Sequence, residues 1–166
     1  MIIGYIDSGI DLAHPDFQDS LGLSRVLWLW DTKLPVSSNT PQPYGYGQEW
    51  DKAGIEAGLA TAHTGQDEYG HGCYVAGIGS GDGSSVGHFQ GVAPKSDIIV
   101  VNYDFTAQDT LPRVAHAVEY IFNKASLLGK PCVINASLGD YYGSHDGRDL
   151  QLQYIRNWPS SRLRCV

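Results

Sequence analysis

Two spacings of apolar residues divide this chain. Four short runs are nearly continuous in apolar side chains: 2–6, 25–30, 98–101 and 132–134. Runs of that length predict strands buried on both faces, as in a parallel sheet covered by helices. A different spacing governs the stretch after residue 110, where Leu111, Val114, Ala115, Val118, Ile121, Phe122, Ala125 and Leu128 recur at steps of three and four. It predicts an amphipathic helix capped by Asp109 or Thr110, with Pro112 in its first turn and Gly129-Lys130-Pro131 as its stop. Residues 71–78 predict a second helix, rich in small residues that permit close backbone approach. Residues 49–60 predict a third, weakened by Gly54 and Gly58, and a fourth starts near Asp149. The alternation of strands and helices predicts an α/β fold, a doubly wound parallel sheet with its sites at the carboxyl ends of the strands. Residues 32–47, rich in Pro, Gly, Ser and Tyr, read as the start of a surface insertion spanning about 32–68, inside one domain without internal repeats.

Composition narrows the function classes. At 166 residues, with 42% hydrophobic and 17% charged residues, the chain has the make-up of a globular domain. Eleven Lys and Arg against eighteen Asp and Glu leave a formal charge of −7. With no basic cluster, that balance argues against a nucleic-acid partner. No run approaches the roughly 18 apolar residues of a membrane span. Met1 stands directly before an apolar run, without a basic-then-apolar leader. Cys73, Cys132 and Cys165 lack metal-type spacing, so they read as small hydrophobes and not as a disulfide framework.

Two short motifs carry candidate chemistry. Asp7 closes an apolar run in Ile6-Asp7-Ser8-Gly9-Ile10-Asp11, and His71 opens a helix in Gly70-His71-Gly72-Cys73-Tyr74-Val75-Ala76-Gly77. A carboxylate at a strand end needs a strong partner, and an imidazole is a suitable one. An Asp that orients a His, and a His that takes a proton from a nucleophile, are two thirds of a hydrolytic triad. Each residue has a plainer use: Asp before Ser-Gly often caps a turn, and His71 is one of six histidines. Two other patterns are set aside. His63, Asp67 and His71 fall four apart, but Gly65, Gly70 and Gly72 break any helix that would gather them on a zinc ion. Gly79-Ser80-Gly81-Asp82-Gly83 follows a helix instead of a strand, the wrong context for a dinucleotide loop.

Taken together, the order Asp7, His71-Gly72, Val75-Ala76-Gly77, Gly91-Val92-Ala93-Pro94 and Asn135-Ala136-Ser137-Leu138-Gly139-Asp140 resembles the subtilisin-like serine proteases, the subtilases of peptidase family S8. Cys73 and Tyr74 stand where the family has Thr and a second His. The stretch Arg25-Val26-Leu27-Trp28-Leu29-Trp30-Asp31 resembles a bacterial branch with a long first loop. The resemblance implies a serine endopeptidase in which Asp7 polarises His71, while Ser137, Leu138 and Gly139 align a polypeptide substrate.

The same resemblance implies a fold truncated at its C-terminal side. The family's nucleophile stands in Gly-Thr-Ser-Met-Ala, and no Gly-Thr-Ser occurs in this sequence. Ser80, Ser84, Ser85 and Ser144 read as turn serines, and Leu163-Arg164-Cys165-Val166 as the opening of a further strand. The expectation is a chain inactive alone, and of low stability, self-associating, or paired with a second chain or segment bearing the serine. Two other readings are a non-catalytic peptide-binding module and the structural remnant of a split gene. Asp16, with the loop 82–86, matches a calcium carboxylate of many subtilases. Capping of the following turn is its expected use, so no cofactor or metal is assigned. The family is largely secreted, and no compartment is assigned from these residues.

Overall fold

The structure is a computed structural model describing residues 1–63, 70–107, 110–139 and 146–157. Five strands form one sheet: β1 (Ile2–Asp7), β2 (Val26–Asp31), β3 (Gln48–Asp51), β4 (Asp97–Asn102) and β5 (Cys132–Ala136). Their order across the sheet is β3-β2-β4-β1-β5, parallel except for β3, which runs antiparallel to β2. Four helices accompany them: α1 (Lys52–Glu56), α2 (His71–Ser80), α3 (Thr110–Leu127) and α4 (Leu150–Arg156).

The period of two in the strands explains the two-sided core. Ile2, Ile6, Ile99, Val101 and Trp30 point to one face, where Ala117, Val118, Tyr120, Ile121 and Ala125 of α3 cover them. Tyr5, Ile98, Val100, Val26 and Leu29 point to the other, where Ala76 of α2, Ile10 and Phe17 complete a second cluster. Helices thus lie on both sides of the sheet, and the α/β expectation holds.

β2 contains a bulge. Val26 stands opposite Ile98 and Trp28 opposite Ile99, so Leu27 is an extra residue. Beyond it Asp31 stands opposite Asn102, which in turn stands opposite Asp7 on β1. Three polar side chains therefore close the carboxyl ends of three adjacent parallel strands.

The periodic helix appears as α3 and ends in a Schellman motif. Lys130 N–H donates to Ala125 O (3.1 Å) and Gly129 N–H to Ser126 O (3.0 Å). Asp149 caps α4 by accepting from Leu152 N–H at 2.9 Å, while Asp109 lies outside the described residues. The helix expected over 49–60 is corrected: Gln48–Asp51 is strand and only Lys52–Glu56 is helix. Trp50 is buried in the core, and Asp51 ends the strand by accepting from Gly54 N–H at 2.8 Å. Nor is the described part of the insertion only a surface loop. Tyr44 and Tyr46 lie 4.8 and 5.0 Å from the Trp30 ring, and Trp30 Nε1–H donates to Tyr46 O.

Cys132 is buried as expected. Cys73 is only half-buried, and its Sγ accepts from Asp11 N–H at 3.0 Å; Cys165 lies outside the described residues. Among the described residues no helix is long and apolar enough to cross a membrane.

Candidate active site

Asp7 ends β1 and is 1% exposed. Its Oδ1 accepts three hydrogen bonds: from Ser8 N–H (2.8 Å), from Ser8 Oγ (3.0 Å) and from His71 Nδ1 (2.7 Å). Its Oδ2 is buried without a partner among the described residues. The hold on this carboxylate is therefore one-sided, and the imidazole is its cationic-capable partner. Because a carboxylate only accepts, the Nδ1 of His71 carries the hydrogen, leaving Nε2 as the basic nitrogen in the neutral ring. The His71 side chain is 54% exposed while that of Asp7 is sealed. One end of the pair reaches solvent and the other anchors in the sheet.

Local backbone explains how they meet. His71 is the first residue of α2, so Asp7 places negative charge at a helix N-terminus, where it is favoured. Ser8 Oγ also accepts from Gly72 N–H at 3.1 Å. Gly72 has no side chain to spare: a Cβ there would lie 2.1 Å from Gly9 O. Gly9 itself has φ +127°, a conformation other residues rarely adopt. Helix and turn touch backbone to backbone, which brings the imidazole within reach of the carboxylate.

At its other end α2 is tied by Arg25. Its Nη2 donates to Ser80 O (2.6 Å) and to Asp16 O, its Nη1 to Ser96 O (2.8 Å) and its Nε to Gln18 O (3.3 Å). Burial pulls this guanidinium below its ordinary value, against the opposing pull of Asp82, Tyr5, Asp97 and Asp16. The cation also suits the C-terminal end of a helix.

Ser137, Leu138 and Gly139 follow β5, whose last pairing sets Ala136 opposite Ile6. They leave the sheet beside the strand end that carries Asp7. Ser137 is exposed, its Oγ donating to Asn135 Oδ1 at 2.9 Å, while Leu138 packs partly against the α3 side of the core. Asp140 lies outside the described residues, as do Ser144 and residues 163–166.

Asp16 does not cap the turn that follows it. Its Oδ1 accepts from Ser85 N–H at 2.8 Å, which ties the Pro15–Phe17 turn to the 82–86 loop. Desolvation opposes ionisation there, but the Ser85 hydrogen bonds win and hold its carboxyl below the ordinary value. Asp82 caps its own loop through Ser84 N–H. Among the described residues no three His, Cys, Asp or Glu side chains are grouped for a metal.

Sequence reasoning missed a second Asp–His pair. His63 Nδ1 lies 2.6 Å from Asp31 Oδ2, with the two side chains 0% and 2% exposed. His63 entered that reasoning only as a discarded zinc ligand beside Asp67, itself outside the described residues. A signal existed: Asp31-Thr32 ends an apolar strand just as Asp7-Ser8 does.

A solved structure of the Clostridium perfringens CspB protease matches with TM-score 0.77 and 28% identity, covering 94% of this chain and 32% of that one. An S41 psychrophilic protease (TM-score 0.56, 24% identity, 94% and 40% coverage) and sphericase (0.61, 20%, 96% and 43%) share the fold. The chain thus spans 32% to 43% of the length of these three structures. The model of the subtilase family, Peptidase_S8, matches residues 1–159, and with that coverage the chain belongs to the subtilase family.

Proposed function

We propose that this chain supplies the carboxylate and imidazole of a serine endopeptidase. The observation that carries this reading is the 2.7 Å contact between His71 Nδ1 and Asp7 Oδ1 at the carboxyl end of β1. In this reading Asp7 fixes the ring orientation and tautomer. His71 Nε2 takes the proton of a serine hydroxyl as that oxygen attacks the peptide carbonyl, then returns it to the leaving amine. Ser137, Leu138 and Gly139 lie beside the pair, where backbone N–H and C=O groups can align an extended polypeptide as an added strand.

The nucleophile comes from outside these 166 residues, on a further segment or a second chain, because no Gly-Thr-Ser occurs among them. The 166-residue polypeptide alone therefore cleaves no peptide. Without the serine and its oxyanion donor, the covalent step has neither attacking atom nor charge stabilisation.

Adding a polypeptide with the family's serine segment tests this. Expected is no hydrolysis of a peptide reporter by the chain alone and hydrolysis after addition. Asp7→Asn should lower the restored rate by about 10⁴, as expected for an imidazole held in the wrong tautomer. Peptide binding without restored cleavage favours a binding module instead. Steady hydrolysis by the chain alone, blocked by a serine-directed reagent, overturns the assignment of the nucleophile.

A further inference from the structure

The second Asp–His pair differs from the first in one decisive respect. His71 is half in solvent, whereas His63 and Asp31 are sealed. A sealed imidazole cannot hand a proton to a substrate, so its work lies in what it holds. His63 Nδ1 faces Asp31 Oδ2 at 2.6 Å and Nε2 faces Ile10 O at 3.0 Å. The same Oδ2 accepts from Asn102 Nδ2 at 2.9 Å, and Lys33 N–H donates to Asp31 (3.1 Å). A backbone carbonyl only accepts. His63 Nε2 therefore donates, and a second hydrogen lies between Nδ1 and Asp31 Oδ2, so the pair holds two protons between them.

These groups grip the turn that follows Asp7. His63 Nε2 holds Ile10 O. A Cβ on Gly9 would stand 3.5 Å from both the Asn102 side chain and His63 Cε1. Gly72 of α2 packs closely on Gly9 O. The Ser8-Gly9-Ile10 turn is thus held both by the buried pair and by the helix that begins with His71. Asn102 also stands opposite Asp7 in the sheet, and Tyr103 N–H donates to Asp7 O at 2.7 Å.

We propose that Asp31, His63 and Asn102 form a buried positioning unit for the Asp7–His71 pair, with a doubly protonated His63 ring as the ionic partner of Asp31. These residues touch no substrate; they fix the turn from which Asp7 projects and against which α2 rests. The proposal deepens the reading of Asp7 and His71 given above and rests on it.

Ring NMR of the 166-residue chain labelled with ¹⁵N-histidine tests it at neutral pH. In the unmodified chain, His63 should show two protonated nitrogens of similar shift, and His71 a downfield Nδ1 proton. In Asp31→Asn and His63→Phe, each checked for a native amide spectrum, the downfield His71 proton should be lost. Its persistence unchanged in both folded variants overturns the positioning role. A His63 ring with one bare nitrogen overturns the charge assignment, and this measurement decides if both variants unfold. Absence of the His71 proton from the unmodified chain is a separate result, which refutes the pair itself and the inference with it.

Discussion

The distance between Asp7 and His71 depends on a side chain that is missing. Gly72 lets α2 rest on the carbonyl of Gly9, and a methyl group there would meet that oxygen at 2.1 Å. Gly72→Ala must lift the helix or bend the turn. Overpacking of this kind costs about 1–3 kcal/mol, so urea unfolding should move to lower denaturant. An unchanged midpoint would show that the contact is looser than described. Asp7 and His71 were legible because each sits in a short motif of its own, at a strand end and at a glycine-flanked helix start. Asp31 and His63 were not, because nothing local joins them. They lie 32 residues apart, on either side of a stretch without periodicity. Their meeting depends on which face Asp31 occupies, and that is a property of pairing with β4.

Among the elements, α3 was the most readable, since eight apolar residues repeat at helical steps and a glycine stop follows. β3 was the least readable: four residues with one buried side chain carry too little alternation to outweigh neighbouring helix formers. The side of the sheet that α3 covers also stores ionisable phenols. Tyr120 is fully enclosed, so desolvation, then the charge of Glu49 and its hydrogen bond, push its phenol well above the ordinary range. Burial likewise raises Tyr44, and desolvation raises Tyr5 on the opposite face against the lowering effect of Ser80. A phenol raised in the folded state favours folding while neutral. That contribution is complete below about pH 10 and fades as pH climbs through the folded value. Of the ten tyrosines, these three should ionise late in an alkaline titration, together with loss of far-ultraviolet dichroism. Ionisation of all ten in one early step, with the dichroism intact, would contradict this.

Among the described residues, α2 and the loop after it carry exposed apolar side chains. Tyr74 and Ile78, one turn apart on α2, are 70% and 71% exposed, and Val92, whose N–H donates to Ile78 O, is 87% exposed. Phe89 nearby in sequence is 82% exposed. Contiguous apolar surface of this kind favours association. Sedimentation of the 166-residue chain should show mass rising with concentration, and Ile78→Lys should reduce that rise. A monomer at every concentration would count against it. The fold class was legible because it needs only the order of strands and helices. The row formed by Asp7, Asn102 and Asp31 needs the registers between strands distant in sequence, which no local pattern encodes.

The bulge at Leu27 sets the phase of that row. One end of β2 is pinned by the Arg25 guanidinium and the other by the Asp31 carboxylate, yet the strand between them holds one residue more than β4 requires. Taking Leu27 out would leave Val26 opposite Ile98 and Trp28 opposite Ile99, in an unbroken ladder. Deleting Leu27 should therefore keep Asp31 opposite Asn102 while removing a side chain that packs against the α3 side of the core.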